Sequence, residues 1–290
     1  MNPGLRRRLW RWSSSILFWL LFSAVLLLAF ELPESQFSVF SPCLDLRLQD
    51  HFYDPTQVSH FFFSRDHQDF WYQLLHEKVR HGFVPGVAIL LFLAAPALLP
   101  RLSWSRLGLL RVPHRTDLWL VILAISFTAV VVGFCKRATH VYCPYEVDRY
   151  GGKAPYVHLF EAYPEKYPAN WRFIIGGKKL RQDGTCWQGV ECNWDECGRC
   201  FPCGHASGGF ALMGLFFVFR GWRRWLGLGI GLICGSVMGA YQMMNGNHYF
   251  SHVLFTGLIS WIVCLALNRW MPVLKRGIRA GWARRRGQQP

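Results

Sequence analysis

The chain has 290 residues, of which 52% are hydrophobic and 17% are charged, and its mean hydropathy is +0.15. This composition is too apolar for a typical soluble protein and predicts a membrane protein. The formal net charge of +15 by itself suggests either a nucleic acid or an anionic lipid surface as partner. The distribution of the charges along the chain separates these two classes of partner.

Six apolar runs have the length and composition of segments that could cross a hydrocarbon core about 30 Å thick. Two long loops, at about 32–82 and 136–205, follow the first and third runs. The pattern predicts an all-α membrane protein with six transmembrane helices and with both long loops on one side. The six runs lie at about 14–31, 83–100, 118–135, 206–219, 225–244 and 252–271.

The segments on the side opposite the long loops carry most of the arginines and a single acid, Asp117. Cytoplasmic loops are enriched in Lys and Arg. We therefore expect both termini in the cytoplasm and both long loops in the periplasm of a bacterial inner membrane. The positive charge is then a topology signal, and nucleic acid is excluded as a partner.

Three segments follow from this topology. Residues 1–117 hold two transmembrane helices and an aromatic-rich periplasmic loop, residues 118–271 hold a core with a Cys-rich loop, and residues 272–290 form a basic cytoplasmic tail. The first apolar run is long and lacks a small-residue cleavage pattern, so we interpret it as an uncleaved helix rather than a signal peptide. The aromatic cluster in the first loop fits either a helix in the headgroup region or a cap packed over the bundle.

Seven of the ten cysteines fall in the two long loops, five of them between Cys186 and Cys203. In an oxidising periplasm this spacing favours structural disulfides over a zinc site, a redox pair or free thiols. The sequence does not determine the connectivity. Because the number of outer cysteines is odd, at least one thiol lacks an intrachain partner, and Cys203 is our candidate.

Three histidines lie where the outer loops meet the helices. His205 stands at the N-terminus of the fourth helix, where free N–H groups and the helix dipole suit a phosphate. His248 follows the fifth helix and His252 begins the sixth, so two junctions on one membrane face can bring His205 and His248 together. Such a pair supplies the nucleophile and the general acid that phosphoester cleavage needs.

Other interpretations of these histidines remain open. A single loop histidine is commonly a polar surface residue, and the glycines around His205 also fit close helix packing. His248 and His252 are four residues apart and could form half of a metal site. The turn-forming segment 142–156 is either a lid above the site or a purely structural loop.

Residues 118–270 resemble the type 2 phosphatidic acid phosphatase and haloperoxidase superfamily. Its members carry the signatures Lys-x6-Arg-Pro, Pro-Ser-Gly-His and Ser-Arg-x5-His-x3-Asp on the outer face of a six-helix bundle. The matching positions in this chain are Lys136 with Cys143-Pro144, then Pro202-Cys203-Gly204-His205, and finally Tyr241-Gln242 with His248 and His252.

The resemblance implies metal-independent cleavage of lipid phosphates or diphosphates, with no cofactor. It implies His248 as the nucleophile, His205 as the general acid and His252 at the position of the orienting Asp. It further implies Lys136 and Gly204 as phosphate ligands, with Cys203 and Gln242 at the Ser and Arg positions of the second and third motifs.

Four departures from the signatures bear on activity: Cys143 and Gln242 at the two Arg positions, Cys203 at the Ser position and His252 at the Asp position. Cys143 and Gln242 replace arginines that would give charge-assisted contacts to phosphate, and Arg137 and Arg199 flank the motifs as our best replacements. We expect a lipid phosphatase or phosphotransferase that works through a phosphohistidine. The alternatives are a phospholipid-headgroup-binding protein without turnover and a cysteine-rich metal or thiol-redox protein.

Overall fold

The computed structural model describes residues 15–31, 43–56, 61, 115–139, 141–157, 159, 185–186, 190–191 and 198–286. The predicted second transmembrane helix, at 83–100, lies outside these residues. All of the aromatic cluster of the first outer loop except Phe61 also lies outside them.

Helices make up most of the described chain. Three 3-10 turns occur at Pro144–Glu146, Asp148–Tyr150 and Leu212–Gly214. The only strands among the described residues form a short antiparallel pair, in which Thr185 lies opposite Glu191. The helices and strands are α1 (Ile16–Glu31), α2 (Cys43–Asp50), α3 (Arg115–Thr139), β1 (Thr185–Cys186), β2 (Val190–Glu191), α4 (Gly204–Ala211), α5 (Leu215–Val218), α6 (Arg223–Met244) and α7 (Phe250–Arg286).

Three stretches of the described chain are long and apolar enough to cross a membrane, at Trp119–Glu146, Arg223–Met244 and Phe250–Met271. They correspond to the third, fifth and sixth predicted helices, and they indicate association with a membrane. The apolar helices Ile16–Leu28 and Gly204–Val218 are shorter.

The predicted fourth helix, at 206–219, differs from the prediction in two ways. It begins two residues earlier, at Gly204, and it changes from α4 through the 3-10 turn Leu212–Gly214 into α5. Gly214 lies in this 3-10 turn, and it weakens the regular helix locally because glycine has the lowest helix propensity after proline.

The short helix α4 lies at the centre of the bundle and packs against α3, α6 and α7, while α1 packs against α7. Its buried side chains Ala206 and Phe210 contact a cluster that also contains Met243 and Val253. The helix that carries His205 is therefore held on three sides by longer helices.

Glycines permit the close approach of α4 and α5 to α6. The buried residues Gly227, Gly231, Gly235 and Gly239 recur every four residues along one face of α6, which is a small-residue interface of the kind that membrane helices use. A Cβ atom on Gly227 would lie 2.8 Å from the backbone carbon of Leu215. The main chains therefore touch where any other residue would hold them apart.

Replacing Gly227 by alanine should destabilise the protein by about 1–3 kcal/mol, because the new methyl group meets backbone atoms that have no room to move. The matched control is Gly229→Ala in the same helix, since a Cβ there meets nothing within 4 Å. Thermal unfolding in detergent should give a lower Tm for Gly227→Ala and an unchanged or higher Tm for Gly229→Ala. Equal Tm values for the two variants would contradict this account of the interface.

The described parts of the two outer loops are joined to each other. Arg149 donates through Nε and Nη2 to the two carboxylate oxygens of Asp50, at 2.9 and 2.8 Å. The hydroxyl of Tyr150 donates to Asp50 Oδ1 and lies 3.1 Å from the carbonyl oxygen of Leu46. The pKa of the Asp50 carboxyl is lowered, chiefly because Arg149 hydrogen bonds to it. The second loop is thereby anchored on helix α2 of the first.

Candidate active site

The structure brings the three predicted histidines together at one end of the bundle. His205 is the second residue of α4, His248 lies in the turn between α6 and α7, and His252 is the third residue of α7. The ring centroids of His205 and His248 are 6.3 Å apart, and those of His248 and His252 are 5.8 Å apart. His248 and His252 are buried, whereas His205 is half-buried.

The lysine of the first motif reaches the same place from the C-terminal end of α3. A Cβ atom on Gly204 would lie 3.4 Å from Nζ of Lys136 and 3.3 Å from its Cε. Glycine at this position therefore lets the ammonium group lie against the first residue of α4. A cation and the positive end of a helix dipole together favour an anion at this point.

Hydrogen bonds hold the segment before α4 against α3 and α7. The hydroxyl of Thr139 donates to the carbonyl oxygen of Phe201 at 3.0 Å, and that of Thr256 lies 3.1 Å from the carbonyl oxygen of Cys203. The backbone N–H of Cys203 donates to the carbonyl oxygen of His252 at 3.2 Å. These contacts fix the N-terminus of α4 relative to His252.

The Sγ atoms of Cys143 and Cys200 lie at disulfide-bonding distance, with their Cα atoms 5.1 Å apart. The expected use of outer-loop cysteines in disulfides therefore holds for this pair. Cys200 Sγ also lies 3.4 Å from Nδ1 of His248. Cys143, at the position of the arginine in the first signature, is thus linked through Cys200 to the surroundings of His248.

Burial lowers the pKa of His248 well below its ordinary value of 6.5, and the nearby Lys136 ammonium group adds to this effect. The imidazoles of His252 and His205 act in the same direction, while the backbone carbonyl of Cys200 opposes it as a hydrogen-bond acceptor. His248 is consequently neutral near pH 7, and one of its ring nitrogens keeps a lone pair. This is the protonation state that a nucleophile needs.

Cys203 and Gln242 occupy two motif positions as neutral side chains. Cys203 is a free, fully buried cysteine at the N-cap of α4, as expected for the unpaired outer thiol. Burial raises the pKa of its thiol to about 11, so the thiol stays protonated at neutral pH. The buried Gln242 accepts a hydrogen bond from Asn247 Nδ2 at 2.8 Å, and its own Nε2 has no partner in the described part of the chain.

The two predicted replacement cations differ in their placement. Arg199 is half-buried and directly precedes Cys200, which contacts His248. Arg137 follows Lys136 but its side chain is exposed. Arg199 therefore lies in the chain segment next to the histidines, whereas within the described part of the chain Arg137 makes no contact with them.

Sequence reasoning did not find Asp45, a buried acid that the first outer loop brings to α7. Its carboxylate accepts hydrogen bonds from the Ser251 N–H, at 2.8 Å, and from the Ser251 hydroxyl. Asp45 also lines a small cavity together with His252 and Tyr249. Nothing in the local sequence distinguishes Asp45 from a solvated loop acid, because its partner is about 200 residues away along the chain.

The contribution of Asp45 to the stability of the protein should fall as the pH rises from 3.8 to 6, because burial raises the pKa of Asp45 from 3.8 to about 6. The folded state then binds this proton more tightly than the unfolded state, and the stabilisation is lost as pH passes through the folded pKa. The shift corresponds to on the order of 3 kcal/mol.

Asp45→Asn should remove this contribution from the dependence of Tm on pH, since the amide carries no titrating proton. The matched control is Asp148→Asn, which changes an exposed carboxylate and should leave the wild-type profile intact. Thermal unfolding in detergent across this pH range measures both. Parallel profiles for the wild type and Asp45→Asn would show that Asp45 is not the group responsible.

These features define a class of protein: a membrane-associated helical bundle in which histidines and a lysine surround a helix N-terminus suited to phosphate. The family model of the PAP2 superfamily matches residues 117–276, more than half of the chain, and the chain belongs to this superfamily. Membership implies phosphatase-type activity on phosphate esters. No curated protein and no solved structure matches the chain at a significant level.

Proposed function

We propose that the protein is a membrane lipid phosphatase or phosphotransferase that acts on lipid phosphates or diphosphates at the periplasmic face of a bacterial inner membrane. The proposal depends on one observation: the rings of His205 and His248 lie close together, beside Lys136 and at the N-terminus of α4. The membership in the PAP2 superfamily supports phosphate-ester chemistry at this position.

In the proposed first step, a ring nitrogen of neutral His248 attacks phosphorus. The new N–P bond forms as the bond between phosphorus and the leaving oxygen breaks, and His205 gives that oxygen a proton. Lys136 and the first N–H groups of α4 stabilise the charge on the remaining phosphate oxygens. The negative charge of a bound phosphate favours the protonated form of His205 that this step requires.

In the proposed second step, the phosphohistidine passes its phosphoryl group to an acceptor hydroxyl. His205 removes the proton of the hydroxyl as its oxygen bonds to phosphorus and the N–P bond breaks. With water as acceptor the protein is a phosphatase, and with a lipid hydroxyl it is a phosphotransferase. The side chains of His252 and Cys200 lie beside the ring of His248 and hold it in position.

A lipid substrate is supported by an apolar cavity of about 490 Å³, two of whose lining residues, Phe210 and Val253, pack in one cluster with Cys203 and Ala206 at the N-terminus of α4. The cavity is bordered by α1, α4, α6 and α7, which contribute Trp19, Phe210, Leu232 and Trp261 respectively. Phe250 and Val253 line it as well, and they flank His252 on α7. A hydrocarbon chain in this cavity would lie beside α4, the helix that carries His205.

His248→Ala should reduce the release of inorganic phosphate from lipid phosphates by at least about a thousandfold, because it removes the attacking nitrogen. The matched control is His51→Ala, which removes an exposed histidine of the first outer loop and should keep wild-type activity. The measurement uses detergent-purified protein, a panel of lipid monophosphates and diphosphates, and no added metal. Normal turnover by His248→Ala would reject the assignment of the nucleophile.

Ser236→Trp should lower kcat/KM for long-chain lipid phosphates by about tenfold, because the indole fills the apolar cavity from α6. Hydrolysis of a small water-soluble phosphate ester should be unchanged, since the histidines are untouched. The matched control is Val237→Trp, an exposed neighbour in the same helix that does not line the cavity. Equal losses for the two substrates, or for the two variants, would place the lipid chain elsewhere.

A binding protein without turnover is the competing function, and it is favoured by the replacement of two phosphate-binding arginines with Cys143 and Gln242. The same phosphate assay separates the two functions. A binder would retain vesicles that contain lipid phosphates and would release no phosphate from any of them. Retention of both His205 and His248 supports the enzyme, because binding alone requires no acid and nucleophile.

A further inference from the structure

Four potential metal ligands lie close together, and one of them is His248, the proposed nucleophile. Cys200 Sγ and one ring nitrogen each of His248 and His252 lie within 4.8 Å of one another, and all three residues are buried. Nδ1 of His252 is buried and has no hydrogen-bond partner in the described part of the chain. Cys143, which lies at disulfide-bonding distance from Cys200, brings a second sulfur atom to the same point.

Two cysteines and two histidines form a ligand set typical of structural zinc sites. Tetrahedral zinc with bonds of about 2.0 Å to nitrogen and 2.3 Å to sulfur requires ligand atoms roughly 3.3–3.8 Å apart. Cys200 Sγ and Nδ1 of His248, at 3.4 Å, have this spacing already, and the ring nitrogen of His252 lies within 4.8 Å of both ligand atoms. Breaking the S–S bond lets the two sulfur atoms separate to the same spacing.

We propose that reduction of the Cys143–Cys200 disulfide creates a zinc site held by Cys143, Cys200, His248 and His252. A dithiol reductant supplies two electrons and two protons to the S–S bond and becomes a disulfide itself. The two thiols then lose their protons to solvent as the Zn–S bonds form. In the oxidised protein neither sulfur is a thiolate, so only the two histidines remain as ligands.

Zinc at this position would stop phosphoryl transfer, a consequence that rests on the proposed function. The ring nitrogen of His248 nearest to Cys200 is Nδ1, at 3.4 Å. When Nδ1 of a neutral imidazole binds a metal, the remaining proton stays on Nε2, which then has no lone pair for attack on phosphorus. The site would therefore couple the redox state of the disulfide and the availability of zinc to activity.

The test uses full-length protein in detergent and Co²⁺ as a spectroscopic probe for zinc. Cys143→Ser frees the Cys200 thiol without reductant, so we expect it to show the strong visible bands of tetrahedral, thiolate-bound Co²⁺. The wild type should show them only after treatment with a phosphine reductant. The double variant Cys143→Ser/Cys200→Ser should lack them under both conditions and His252→Ala should bind Co²⁺ more weakly, while Cys234→Ser, which removes a free cysteine elsewhere, should behave as the wild type.

Two results would overturn the proposal. One is the absence of these bands in the reduced wild type, and the other is bands that persist in the double variant Cys143→Ser/Cys200→Ser, because other cysteines would then hold the metal. Phosphate release is measured beside the spectra, with and without Zn²⁺, and Zn²⁺ should abolish it in the reduced wild type and in Cys143→Ser but not in the oxidised wild type. If the bands appear but no phosphatase activity is found, only the proposed function is contradicted. If activity is found but the bands are absent, only the zinc site is contradicted.

Discussion

The close contact between the main chains of α4 and α6 is the constraint on which the candidate site depends. A Cβ atom on Gly209 would lie 2.6 Å from the backbone nitrogen of Gly235. Because glycines line this contact, a helix of only eight residues is buried among α3, α6 and α7. Its N-terminus is thereby placed where the end of α3 delivers Lys136 and where the turn after α6 delivers His248. The positive end of the α4 dipole, the ammonium group of Lys136 and the imidazole of His248 therefore come together because of the way the helices pack.

The outer loops complete this arrangement from the other side. Asp45 accepts hydrogen bonds from Ser251 at the beginning of α7, one residue before His252. Gly246, with a φ of 67°, makes the turn after α6 and leaves space that the ring of Phe61 occupies. The first loop therefore covers the turn that carries His248 on both sides of this histidine, at Gly246 and at Ser251.

The sequence predicted the features that depend on local pattern. Apolar length predicted the positions of α3, α6 and α7, and the helix junctions predicted that His205 and His248 would meet. The partners of Asp45 and the pairing of Cys143 with Cys200 depend on contacts between distant segments, which carry no local signal. The break within the predicted helix at 206–219 was missed for a related reason, since apolar composition reports burial but does not distinguish one straight helix from two short ones.

The replaced arginines have a consequence for how a substrate would be held. Arginine binds phosphate through two charge-assisted hydrogen bonds, which a glutamine cannot match, and Cys143 contributes a covalent link to Cys200 in place of a cation. The phosphate group would therefore supply less of the binding energy here than in a site with both arginines. On the proposed function, the apolar cavity beside α7 makes up the difference, because burial of a hydrocarbon chain stabilises by roughly 0.8 kcal/mol per CH₂. A substrate that never leaves the membrane can be selected by its hydrocarbon chain rather than by its headgroup.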